Sequence, residues 1–496
     1  MRNRLVIMKI ILPLLICCIL LPACNRPMPQ PPVTQSLQNP LLKVMNTGTT
    51  APTVQASTAT RTAQASSTSI TPNYTPSPSP TNSPTHGLTQ IPKSTSTPFP
   101  TPVWCPVEPA PSTNPGKLRL VYASRGALWL WNEAQSAVQL TQPGNIDQVS
   151  LSDDGQIIAF TRKLDEYHVE LWAINADGSH ELRLISADGF TQLDGSTDAL
   201  GVLPYMLKWE PGSHHLTFYT YPLYDALMVF EPSSPWLINL DTGDISSAPY
   251  NGGNTEYSPD GKYVIIFDIL QISLVRMDGS DLREDILPGY HGIAQGEQYY
   301  DPQPYWANDS SSFTVALPNQ DDLYTQDSTV TVWNLPVEGK PTELGQWKAF
   351  APSVTFSPDN VYMAYWNLPE GSTNQRELHL ARLEGSGASN PKDAIYTRGE
   401  LIGNVSWSTD SQHFIFTMVS SGSKYRTYLG NTCQRSTLLM EGDRWITAAW
   451  VDASRYLLAS NIYNIPGQGE LRLGEIGQEQ TELIGVVTAY DWAILP

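Results

Sequence analysis

The side chains able to do chemistry are numerous in this chain but poorly focused. Asp and Glu number 48 against 29 Lys and Arg, and a carboxylate pair flanking a glycosidic bond is one reaction such a composition could supply. No pair is singled out by its spacing. The eight histidines are scattered. His214 and His215 lie adjacent on a predicted strand and so point to opposite faces, which suits structural or surface roles better than a shared metal. The strained G-x-S-x-G turn of hydrolases is absent, as are H-E-x-x-H and C-x-x-C. Acidic turns are plentiful, yet none has the ligand spacing of an EF-hand. The expectation is a non-enzymatic protein without cofactor or metal.

The elements that would have to position any site repeat at about 50 residues, a period that points to a propeller. The clearest unit is Tyr257-Ser-Pro-Asp-Gly-Lys-Tyr-Val-Ile-Ile-Phe267, followed by Ile272–Met277 and the turn Asp278-Gly279. The order recurs from Leu151-Ser-Asp-Asp-Gly155 and from Phe356-Ser-Pro-Asp-Asn360, with weaker copies at Trp209, Trp306, Trp407 and Trp450. In the clearest copies Pro presets φ, Asp closes an Asx-turn on its own backbone, and Gly or Asn takes the left-handed position; Pro211-Gly212-Ser213, Asn308-Asp309-Ser310, Thr409-Asp410-Ser411 and Val451-Asp452-Ala453 depart from that pattern. The apolar run that follows reads as a central strand covered on both faces. A third strand alternates, as in Thr329–Leu335.

The Tyr257–Phe267 segment resembles the WD40-like repeat of TolB-type β-propellers, in which an aromatic-Ser-Pro-Asp-Gly box precedes an apolar strand. The resemblance covers most of residues 118–496 as repeats and implies architecture rather than activity. Turns at Asp154, Gly212, Asp260, Asp309, Asp359, Asp410 and Asp452 mark seven units. Leu118–Tyr122 and Ala127–Trp131 read as later strands of a further blade, and Val486–Trp492 as its inner strand. Joining the two ends predicts an all-β propeller of eight four-stranded blades, or seven if one degenerate unit is an insertion, and hides two sheet edges.

Charge divides the chain sharply. Residues 1–103 hold no Asp or Glu and seven basic residues, so the remainder holds 22 basic and 48 acidic residues, a net of −26 against −19 overall. That excess excludes nucleic acid as the main partner, because phosphate binding needs a basic footprint. Arg2, Arg4 and Lys9 precede the apolar run Ile10–Leu21, the layout of a secretory signal and short for a membrane-spanning helix. The run ends in Leu21-Pro22-Ala23-Cys24, which resembles the bacterial lipobox and implies a signal over residues 1–23 and a diacylglyceryl group on Cys24. Residues 24–103, rich in Ser, Thr and Pro, read as a disordered stalk, and 104–496 as the propeller domain. An exported chain with two domain cysteines permits a bridge between Cys105 and Cys433; two thiols are the alternative.

Loop lengths supply the remaining signal. Turns joining first to second and third to fourth strands are short, and both sets fall on one side of a disc. The other side carries long connections, Ser186–Tyr205, Thr220–Pro235, Leu287–Pro304 and Asn367–Gln375. They bear Phe190, Tyr221, Tyr224, Phe230, Tyr290, Tyr299 and Tyr300 among acids such as Asp225, Glu231 and Asp301. Aromatics in polar surroundings favour recognition, unless the loops bury the rings in their own packing. The chain is therefore read as a lipid-anchored, extracytoplasmic, non-catalytic module, joined to the membrane through Cys24 and binding a protein or glycan. The alternatives are an extracellular hydrolase of polysaccharide or peptide, with carboxylates near the channel, and a structural envelope component.

Overall fold

A computed structural model describes residues 116–224, 235–250, 252–295, 298–372, 374–383, 392–403, 405–420, 424–433, 436–460 and 469–495. Cys24, the stalk and Cys105 lie outside these residues. The chain forms eight antiparallel blades. In all but the first and fourth, the strand closest to the channel is followed outward by the next three in chain order. Four-stranded sheets run through residues 146–185, 201–247, 305–348, 355–399 and 446–487, and the seventh blade adds the short Leu401–Ile402 strand at its inner edge.

Ring closure follows the predicted scheme. The C-terminal strand Ala489–Leu495 pairs with Lys117–Ser124 from Lys117↔Leu495 to Ala123↔Ala489, and Ala127–Asn132 and Val138–Gln139 complete that first blade. One detail differs from the sequence reading: Val486 and Val487 finish the outer strand of the eighth blade, Glu482–Val487, before the chain crosses inward. Two apolar strands meet there with only Thr488 between them, so hydropathy alone joined them into one.

The fourth blade is also reduced. It has three strands, Asn254–Tyr257, Tyr263–Phe267 and Ile272–Arg276, and its outer position shrinks to a single bridge between Leu274 and Arg283. Asp281 and Asp285 on either side take φ of 54° and 46°. Left-handed residues at that spacing break a ladder on either side of one pairing.

The core lies between blades. Buried apolar residues form eight clusters, one for each seam between neighbouring sheets. This explains why second strands such as Tyr263–Phe267 read as continuous apolar runs: both of their faces are covered. The aromatics that end the inner strands tie the seams together. The Trp306 indole N–H donates to the Glu256 carbonyl at 3.2 Å, Trp450 to the Ser406 carbonyl at 2.9 Å, and Trp407 to Thr355 Oγ1 at 3.2 Å. Each bond reaches back to the preceding blade.

The Ser-x-Asp turns work on the short-turn side. Ser258 Oγ donates to Asp260 Oδ1 at 2.8 Å, and the same oxygen accepts the Lys262 amide at 3.1 Å. The Asp260 amide then donates to Ser310 Oγ of the next blade at 3.0 Å, and the Asp359 amide to Ser411 Oγ at 3.0 Å. His214 spans another seam, its Nδ1 2.8 Å from Asp241 and its Nε2 3.1 Å from Asp154. Hydrogen bonding to Asp241 and then to Asp154 raises its pKa against the opposing cost of burial. The repeat motif is thus spent on holding the ring together.

Candidate functional site

The long connections do gather on one side, but they are more structured than loop length suggested. Ser186–Tyr205 contains a helix, Ala187–Asp194, capped by Ser186 Oγ, which accepts the Gly189 amide, and ended by Gly195 at φ 82°. Its last residues belong to the inner strand Gly201–Trp209. Leu287–Pro304 holds a hairpin, Ile293–Gln295 with Gln298–Tyr300.

These elements correct part of the predicted binding face. Phe190 is wholly buried, edge-on to Phe218 at 5.8 Å. Tyr290 is buried at 4% exposure, its hydroxyl donating to the Pro302 carbonyl at 3.1 Å. Tyr300 packs into the seam between the fifth and sixth blades and donates to the Ala351 carbonyl at 3.2 Å. The helix and hairpin fold these rings inward, so none of the three is available to a ligand. Tyr221 and Tyr224 are half-buried at the end of His215–Leu223 and just beyond it. Tyr299 is exposed, its hydroxyl donating to Asp301 at 3.1 Å. Burial, and secondarily Asp268, pushes the Asp301 carboxyl up to about 6, although Tyr299 and Asn254 both donate to it. Phe230, Asp225 and Glu231 lie outside the described residues.

What the fold places on this side, and sequence reasoning missed, is the mouth of the channel. A cavity of 890 Å³ is lined by Asp147, Gln148, Lys163, Tyr205, Met206 and Tyr490, with Gly126, Asn145 and Thr488 beside them. Two inner strands are irregular at this level. The strand Ile146–Leu151 slips register between Ile146 and Val149, and Gly201–Trp209 slips between Tyr205 and Lys208. Asn145 and Met206 take φ of 52° and 53°. Bulges re-aim side chains at rims and binding sites. A left-handed backbone at a bulky residue such as Met206 costs about 1–2 kcal/mol, which the surrounding sheet must over-determine. Tyr205, on the bulge itself, is 50% exposed despite lying within a strand. Tyr490 stacks on Trp492 with centroids 6.1 Å apart.

The next residue, Asp491, points its carboxylate into the seam with the second blade. There it accepts the Leu151 amide at 2.8 Å and the Ser150 hydroxyl at 3.2 Å, and burial pushes its carboxyl up to about 6. It therefore fastens the wall of the mouth and does not line it. The only sequence signal for this site was negative: Gly201–Trp209 carries a proline and alternates poorly for an inner strand.

The mouth presents two tyrosines, two amides, an acid and a base around a roomy hollow, an arrangement that can orient a ligand through stacking and hydrogen bonds. Among the described residues, no three His, Cys, Asp or Glu side chains converge as metal ligands. A second hollow of 430 Å³ lies between the seventh and eighth blades, beside Gly403, Thr417, Trp445 and Thr447. A third, of 500 Å³, opens between the Pro369–Gln375 loop and Arg398.

No family model matches the sequence, and no curated protein matches it. Similar solved structures include TolB proteins and a β-propeller domain. TolB from Acinetobacter baumannii is 14% identical over 65% of this chain and 63% of its own, with a TM-score of 0.32. This chain thus spans less than two thirds of that protein's length. A eukaryotic initiation factor is 12% identical over 75% of this chain and 85% of its own, at 0.47. The β-propeller domain of the Trilobed protease from Pyrococcus furiosus is 12% identical over 68% and 98%, at 0.41. The chain's own strand order makes it an eight-bladed β-propeller, and TolB proteins are among its structural neighbours.

Proposed function

We propose that this chain is a non-catalytic binding module, anchored outside the cytoplasm by lipid on Cys24, that takes a protein or glycan ligand on its long-loop side with the channel mouth as the focus. One observation carries the reading. Among the described residues, the exposed large apolar side chains fall on outer strands (Val138 and Leu483, with Val486 at the long-loop end of the same strand as Leu483), beside the fourth blade's single outer bridge (Leu282), or on the long-loop side (Leu164, Leu200, Tyr205, Leu270, Tyr299 and Tyr324). The opposite side has its turns bonded from blade to blade and carries none. Exposed apolar groups confined to one side mark an interaction surface. The strained backbone under Tyr205 supports the same place, since strain persists where a geometry is put to use.

The test is a panel of glycans and envelope proteins offered to the full chain and to Tyr205→Ala. Loss of an aromatic anchor costs about 2 kcal/mol, near thirtyfold in Kd, at a central contact. Equal binding by both proteins to every ligand found would place the site elsewhere. Anchoring is tested by Cys24→Ser, which is expected to release the protein from the membrane fraction.

A further inference from the structure

The long-loop side is uneven in a way that selects a partner. From the second to the fifth blade its connections expose Leu164 at 57% and Leu270 at 76%, together with Leu200, Tyr205, Tyr299 and Tyr324. The same connections carry the exposed acids Glu166, Asp198, Asp322 and Asp327. Among their described residues the cations are Lys163, Arg283 and, where the fifth blade's outer strand ends, Lys348; Arg283 is committed to the Val337 carbonyl at 2.5 Å and Lys348 lies 4.0 Å from Asp327, so the acids still outnumber the bases. The rest of that side differs. On the sixth and seventh blades Arg376, Arg398, Lys424 and Arg444 balance Glu370, Glu400, Glu441 and Asp443, and the exposed large apolar residue on the rest of that side, among those described, is Val486 at the end of the eighth blade's outer strand.

Exposed apolar groups and unbalanced negative charge therefore coincide on one half of one side. Charge alone would be a solvated surface, and scattered apolar residues alone would be ordinary. Together they suit a partner whose cationic heads meet the acids while its apolar parts cover the leucines. Lys and Arg are built for this, because their aliphatic stems lie along apolar surface as their charges reach out, and their cations also sit over tyrosine faces. Anionic polymers and anionic membrane surfaces meet repulsion on the same half.

We infer that the second-to-fifth-blade half of the long-loop side docks a basic segment of another protein, rich in Lys or Arg with apolar residues interleaved. The inference rests on the binding-module reading and names its partner's chemistry. Complementary charge sets the encounter rate and the choice of partner, and burial of Leu164, Leu270 and the tyrosines supplies affinity.

Three synthetic peptides of equal length test it against the full chain by fluorescence anisotropy: one alternating Lys and Leu, one alternating Glu and Leu, and one alternating Lys and Gly. The Lys/Leu peptide is expected to bind best, and to weaken at high salt. Glu166→Lys/Asp327→Lys and, separately, Leu164→Ser/Leu270→Ser are each expected to weaken it about tenfold. Glu338→Lys/Glu479→Lys, the same charge change on exposed residues of the short-turn side, is expected to leave it unaltered. Binding of the Glu/Leu peptide as tight as that of the Lys/Leu peptide overturns the inference, and so does equal weakening by the short-turn pair. If no peptide binds while a glycan or protein still depends on Tyr205, this inference falls and the binding-module reading stands. If ligands bind and ignore Tyr205, the mouth assignment falls instead.

Discussion

Arg455 carries the most exposed consequence of ring closure. Its guanidinium is 5% exposed and makes three bonds: Nε to Asp452 at 2.7 Å, Nη1 to Glu133 at 2.8 Å and Nη2 to the Gly116 carbonyl at 2.7 Å. Asp452 lies in the first turn of the eighth blade, whereas Glu133 and Gly116 belong to the first. Glu133 also accepts the Leu118 amide at 3.1 Å. Arg455→Leu fills much of the same space and leaves two carboxylates without their cation. Breaking a buried pair costs about 3–5 kcal/mol. Glu133 is 39% exposed and Asp452 23%, so water recovers part of that and the lower end, about 3 kcal/mol, is the expected loss. Unfolding entropy of about 2 cal/mol/K per residue over residues 116–495 makes this a fall of roughly 4 °C in the thermal midpoint. Calorimetry of the two proteins at neutral pH is the assay. Arg455→Lys keeps the charge but cannot reach three acceptors at once, so it should recover only part of the loss. A midpoint within 1 °C of the parent for Arg455→Leu, or full recovery by Lys, refutes the argument that this fork clasps the ring.

Two further outcomes follow from the seams. Asp491 is pushed up to about 6 from an ordinary 3.8, so the folded protein holds a proton that the unfolded chain releases between those values. Its contribution therefore falls as pH rises from about 4 to 6 and is level above, by roughly 3 kcal/mol in total. Asp491→Asn removes that slope, and urea midpoints of both proteins at pH 4 and 7 should diverge accordingly; parallel pH dependence would count against a buried carboxylate. Cys433 is disulfide-bonded, and its expected partner, Cys105, is outside the described residues. If the two are joined, Cys433→Ser and Cys105→Ser lower the midpoint equally, by about 2–5 kcal/mol of stability, and the double variant lowers it no further. Unequal losses would break the pairing.

Much of the ring was legible because each blade writes its own local chemistry. The Ser-x-Asp turns, the aromatic closing an inner strand and the apolar second strand rest on contacts within a blade or with its neighbour, and they recur from blade to blade. The fourth blade's missing strand was less legible, since Asp281 and Asp285 look like ordinary polar residues until their backbone is seen. The aromatic face was legible as a side and not as a list of rings. Phe190 and Tyr290 sit in segments that read as loops, and only the helix and the hairpin turn them inward.

The sequence alone determined the repeat, the closure of the last strand against the first, and the separation of an acidic body from a basic leader. These depend on spacing, turn residues and charge, which are properties of neighbours along the chain. Tertiary structure alone decided which aromatics meet solvent, where the bulges under Tyr205 and Met206 open the channel mouth, and which half of the long-loop side combines acids with exposed leucines. Those features join residues from several blades, and no local pattern encodes how far a ring of sheets brings them together.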